Sequence, residues 1–128
     1  MTASSSHEVA LHLARAREDV QVAEELFRDG HLRGAVSRAY YAMYHAAHAL
    51  LRSRGLTAKS HKGLLSVVSE QFVQTGELDR GHFAALRVAK ELREESDYDV
   101  GAVVEEAEAR RVLEDAGAFL HVVEALLA

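Results

Sequence analysis

Arg93 lies in the stretch "ELREESDYD" among five carboxylates, with Tyr98 close behind it. Cleavage of RNA without a metal needs a base to deprotonate the attacking hydroxyl and a cation to steady the anionic phosphorane. Arg93 can be that cation, but the histidines nearest to it along the chain, His82 and His121, do not share its local turn. The simpler reading is an ion pair with Asp97, one helical turn on. A second group is His45 and His48, three apart, with His61 beyond the next turn. Imidazoles at that spacing can share a metal. No helical Glu-x-x-His pair accompanies them, however, and no spacing ties His61 to the other two, so hydrogen-bonded histidines are expected and neither a metal nor a cofactor is assigned. A third group is Tyr40, Tyr41 and Tyr44 in "AYYAMYH", whose faces could stack bases while Arg38 and Arg52 hold phosphates. Tyr40 and Tyr44 read more simply as core area with a directed hydroxyl, whereas Tyr41 falls on a polar stripe.

The elements that must position these residues are helices. A chain of 128 residues with no proline, no cysteine and eight glycines fits one domain of long helices joined by short turns, with no disulfide or thiolate metal site. Apolar residues recur at intervals of three and four over five segments, about 6–28, 31–54, a shorter one from a Ser60 cap to Gly76, one from an Asp79 cap, and 102–127. The expected fold is an all-α, antiparallel up-and-down bundle of four core helices plus a shorter fifth. One domain spans 1–128, its core about 8–125 and its first seven residues flexible. On the second helix Arg38, Tyr41, His45, His48 and Arg52 form a stripe of their own.

The net charge of −5 argues against a generally basic nucleic-acid binder, but the charges are unevenly placed. No acid occurs between Asp29 and Glu70, a segment carrying six Lys and Arg residues, while residues 91–115 hold ten acids and three bases. Compensation between these two hairpins is the expected explanation, with a polyanion-binding surface as the rival. The N-terminus has no basic flank leading into an apolar run, and no stretch has the length of a membrane span, so a cytoplasmic protein is expected.

Several motifs in order, "SRAYYAMYHAAHALL", "KSHKGLLSVVSEQFV", "TGELD" and "ELREESDYD", resemble the HEPN domain family, in particular its small stand-alone prokaryotic members. The resemblance covers about residues 8–125 and implies a helical bundle that forms homodimers. It also implies RNA or nucleotide work, often as a ribonuclease toxin encoded beside an MNT-type nucleotidyltransferase. The family's active motif is an arginine followed shortly by a histidine, set at a dimer cleft. Arg93 matches the arginine, but positions 98–100 hold Tyr98, Asp99 and Val100, so cleavage would need a base from Tyr98 or from a histidine elsewhere. In some members the partner places adenylate on a tyrosine near this motif, which here would be Tyr98. The resulting expectation is a homodimer binding RNA or nucleotide through Arg93, Asp97, Arg38, Tyr41 and His45, with a nucleotidyltransferase partner. A diverged metal-independent ribonuclease and a non-catalytic adaptor bundle are the alternatives.

Overall fold

The computed structural model describes residues 3–128, and among them every regular element is helical. Four long helices are α1 (Ala3–Arg28), α2 (Leu32–Ser53), α4 (Arg80–Tyr98) and α5 (Glu106–Leu127), with the short α3 (His61–Val68) between α2 and α4. Residues 3–7, expected to be flexible, belong to α1, and positions 1 and 2 lie outside the described residues.

Helix α2 forms the axis of the bundle. Its alanines Ala35, Ala39, Ala42, Ala46, Ala47 and Ala49 are fully buried, so α1, α4 and α5 can approach its backbone from different sides. Met43, Leu50 and Leu51 fill the space between them with Leu86 of α4 and Phe119 of α5. The partners Glu8 with Arg52 and Asp19 with Arg38 run in opposite chain directions, which makes α1 and α2 antiparallel.

The turns that set the candidate site are well specified. Gly55 ends α2 with a φ of 71°, a conformation that strains any residue with a Cβ. Ser60 then caps α3 by accepting a hydrogen bond from the Gly63 N–H at 2.9 Å, which puts His61 on its first turn. Beyond Val68 the helix widens into a π turn over Ser69–Val73 rather than continuing regularly, with the Gln74 N–H donating to the Ser69 carbonyl at 2.9 Å. A wider turn keeps Leu64, Val68 and Phe72, each four apart, on one buried line. Asp79 caps α4 through the Gly81 N–H. Helix α5 starts at Glu106 instead of about 102, because Glu105 takes the cap position and its N–H donates to the Glu108 carboxylate.

Charge compensation follows a different route from the expected one. Arg38 and Arg52 of the basic segment pair with Asp19 and Glu8 of α1, and Arg54 pairs with Glu77. Among the described residues, the bases within 91–115 pair locally, Arg93 with Asp97, Arg110 with Glu106 and Arg111 with Asp115. Between the two segments the Arg33 guanidinium donates to the Ser96 carbonyl at 2.9 Å, a hydrogen bond without a carboxylate. Helix α1 already faces the basic stripe and carries acids on that side, so the basic stripe needs nothing from the acidic segment.

Candidate functional site

The polar stripe on α2 divides between two places. Most of it faces α1. Arg38 donates to Asp19 at 2.8 Å, and that carboxylate is 1% exposed, an ion at the floor of the α1/α2 seam. His45 and His12 approach Nδ1 to Nδ1 at 3.1 Å, one donating and the other accepting, and the His12 ring also stacks on His48 with centroids 5.2 Å apart. Desolvation is the main force on these imidazoles, supplemented by their neighbours' positive charge. It pulls His45 and His48 each down to about 4 and lowers His12, which Glu8 partly opposes. Neutral rings stacked between two ion pairs form a zipper between helices. Among the described residues, no three His, Asp or Glu side chains are placed to share a metal ion.

Tyr41 belongs to both places. On one side it lines a cleft of about 310 Å³ with Arg15, Asp19, Ser37, Arg38 and His45. On the other it meets Arg93 of α4, whose guanidinium carbon lies 5.0 Å from the Tyr41 ring centre and 5.6 Å from that of Tyr40. The Arg93 side chain is about one-fifth exposed and bonds to Asp97 at 3.2 Å, yet its Nε is buried without a hydrogen-bond partner. Three of the five expected binding residues, Arg38, Tyr41 and His45, therefore share one cleft, and Arg93 with Asp97 meets it across Tyr41.

The spacing gave His61 no fixed place, and the fold supplies one. Its Nδ1 lies 2.6 Å from the hydroxyl of Tyr40, and its ring is 4.7 Å from that of Tyr44, which in turn packs at 4.5 Å on His48. His61 and Arg93 thus converge on the same two tyrosines, Tyr40 and Tyr41. Desolvation lowers the His61 pKa, with the charges of Arg93 and Lys90 adding to it and Glu94 opposing. Burial also pushes the Tyr40 hydroxyl up, so it stays protonated at any ordinary pH. Tyr98, the last residue of α4, is 86% exposed and is not among the residues lining this cleft.

His61 and Asp19 are what reading the sequence alone missed. Asp19 had a signal, since Val9, His12, Ala16, Asp19 and Ala23 follow one helical spacing, so two polar residues interrupt an otherwise apolar stripe. For His61 the signal was weaker: it directly follows the Ser60 cap, which fixes the position on α3 but not the direction of α3 against α2.

A family model for the HEPN domain matches residues 9–126, nearly the whole chain. The chain belongs to the HEPN domain family. Its relatives include a protein of Methanocaldococcus jannaschii named "Putative toxin MJ0142", 30% identical over 109 residues that cover 85% of this chain and 74% of the relative. A second protein of that organism, "Putative toxin MJ0605", is 33% identical, covering 82% and 78%. A UPF0332 protein of Archaeoglobus fulgidus is 36% identical, covering 88% and 90%. This HEPN chain is thus similar along most of its length to small archaeal proteins, two of which carry the word toxin in their names. Among its described residues no helix is long and apolar enough to cross a membrane.

Proposed function

We propose that this HEPN chain acts as a homodimer that binds the phosphates of RNA or of a nucleotide at Arg93 and Tyr41, as the toxin-like half of a module whose other half is a nucleotidyltransferase. The observation that carries the reading is the state of Arg93. A guanidinium laid against two tyrosine faces, about one-fifth exposed and bonded to Asp97 through one terminal nitrogen, keeps hydrogen-bonding capacity in reserve. A phosphate would draw on that capacity, and the half-buried ring of Tyr41, which lines the cleft, gives a base a surface to stack on. Arg38 and His45 at the far end of the cleft would extend the contact along a strand. The toxin names of two relatives agree with this role.

The test is fluorescence anisotropy with labelled single-stranded RNA and with mononucleotides, wild type against Arg93→Ala, with light scattering to give the mass. Saturable, salt-sensitive binding that weakens at least tenfold in Arg93→Ala, by a particle twice the chain's 14.1 kDa, is expected. A monomer that ignores both ligands would sink the reading and favour the adaptor bundle. Metal-independent cleavage is a second reading of the same site, favoured by one observation, the imidazole of His61 beside the Arg93 cluster.

A further inference from the structure

We infer that His61, held by the hydroxyl of Tyr40, is the general base that works with Arg93 in cleaving RNA, in place of a histidine on the α4 turn. The inference rests on the RNA-binding reading of the Arg93 site. It starts from convergence: His61 on α3 and Arg93 on α4 both reach the ring pair Tyr40 and Tyr41 of α2, so a base and a cation meet although 32 positions separate them in the chain.

The local chemistry suits a base. When Nδ1–H donates to the Tyr40 oxygen, Nε2 keeps the lone pair a base requires. Tyr40 is 1% exposed and fixed in the core, so it works as a positioning residue that sets the tilt of the ring, its hydroxyl accepting from Nδ1–H in the reactive tautomer. The groups facing His61 are Tyr40, Tyr41, Tyr44 and the nearby His48 on α2, with Lys90, Arg93 and Glu94 on α4. Their net effect adds to desolvation, and the imidazole is neutral at pH 7.

The step runs as follows. His61 Nε2 takes the proton of a ribose 2′-hydroxyl. The 2′-oxygen then bonds to the adjacent phosphorus, and the negative charge that builds on its oxygens is met by the Arg93 guanidinium. The bond from phosphorus to the 5′-oxygen breaks, that oxygen takes a proton from water, and His61 returns its own proton to solvent. The products are a 2′,3′-cyclic phosphate and a 5′-hydroxyl, with no water consumed and no metal required.

The experiment measures cleavage of labelled RNA in EDTA beside RNA affinity by anisotropy, for wild type, His61→Ala, His61→Gln, Tyr40→Phe and Arg93→Ala, with thermal melts on each. His61→Gln is included because it can still bond to Tyr40 if the alanine variant does not fold. Loss of the base should cost about a hundredfold or more in rate with RNA affinity within about threefold of wild type. The acid limb of the wild-type rate should lie below the ordinary imidazole value, because burial and the charges of Arg93 and Lys90 lower the pKa of His61. Tyr40→Phe should lose less rate but shift the acid limb further down, since the imidazolium loses a hydrogen-bond acceptor; a purely structural tyrosine would leave that limb in place. Folded His61 variants that cleave at the wild-type rate would overturn the inference. Wild type that binds RNA but leaves it intact would overturn it too while the binding reading stands, and wild type that neither binds nor cleaves would take both away.

Discussion

Two polar clusters flank α2, and they differ in where their members find partners. The seam toward α1 is joined across helices: Arg38 is bound to Asp19, Arg52 to Glu8, and His45 to His12. At the corner toward α3 and α4 the ion pairs stay within α4, Lys90 with Glu94 and Arg93 with Asp97, and His61 stands half-buried beside them on the Tyr40 hydroxyl. Both clusters are built from Arg, His and Tyr, so composition does not separate them. What separates them is whether the neighbouring helix supplies complementary groups. Helix α1 carries Glu8, His12 and Asp19 at the spacing of its core stripe and so answers α2 residue for residue. The face of α4 at the other corner brings Lys90 and Arg93, each paired within α4, to Glu94 and Asp97, against three tyrosines of α2. Cations paired only within their own helix, beside aromatic surface, can turn to an outside anion; pairs that join two helices suit stability.

The contrast breaks most visibly at Arg38, which belongs to the seam by its bond and to the cleft by its position. Arg38→Ala leaves the Asp19 carboxylate buried without its partner and should cost about 3 kcal/mol, read as a drop on the order of 10 °C in Tm. Asp19→Ala removes the buried charge itself, and the half-exposed Arg38 can turn to water, so it should cost clearly less. Equal and small losses in both variants would show that the pair does not hold the seam, and would leave Arg38 to ligand binding alone.

Acid is the next lever. The folded-state pKa values of His45 and His48 lie near 4 and the unfolded ones near 6.5, so below the unfolded value the unfolded chain binds more protons. The stability these rings carry is complete above about pH 6.5 and is lost as pH falls toward 4. Allowing for partial exposure, which roughly halves the full linkage value, the loss should be about 3 kcal/mol for the two together. Urea melts at pH 7.5 and 4.5 measure it, and replacing both histidines with glutamine should flatten the difference. A difference that persists in the double variant would place the acid sensitivity outside the seam.

How much of this was legible in the sequence follows from the same contrast. Helix existence was plain, because Ala39, Met43, Ala46 and Leu50, or Val112, Ala116, Phe119 and Val123, mark one face each and all eight are buried. The caps Ser60 and Asp79 were readable for the same local reason. The wide turn after Val68 was not, since nothing between Ser69 and Gly76 breaks a regular helix by itself. At the site, the contact of Arg93 with Asp97 is local and was predictable. The meeting of His61, Tyr40 and Arg93 depends on how three helices pack, and no single-helix periodicity contains that angle. The stripe on α2 shows the same limit: spacing put its side chains on one flank without saying that α1 would pack along that flank.

The smallest expected effect concerns Tyr98, which lies apart from both clusters. Its side chain is 86% exposed at the end of α4, with Val100 95% and Val103 81% exposed in the loop that follows. A tyrosine that only closed a turn would gain from packing its ring, whereas one presented to solvent is accessible to a transferase. Tyr98→Phe should therefore change stability by less than about 0.5 kcal/mol, as ordinary surface substitutions do. Its effect should appear in a different readout. Incubation of the chain with its proposed nucleotidyltransferase partner and ATP should add the mass of one adenylate to wild type and none to Tyr98→Phe, seen by intact mass spectrometry. Addition to both variants would move the acceptor elsewhere. A phosphodiester at that position adds negative charge to a helix end already rich in carboxylates, Glu94, Glu95, Asp97 and Asp99. The added phosphate would then compete with Asp97 for the Arg93 guanidinium and repel an incoming RNA phosphate, so adenylated protein should bind RNA more weakly than Tyr98→Phe does.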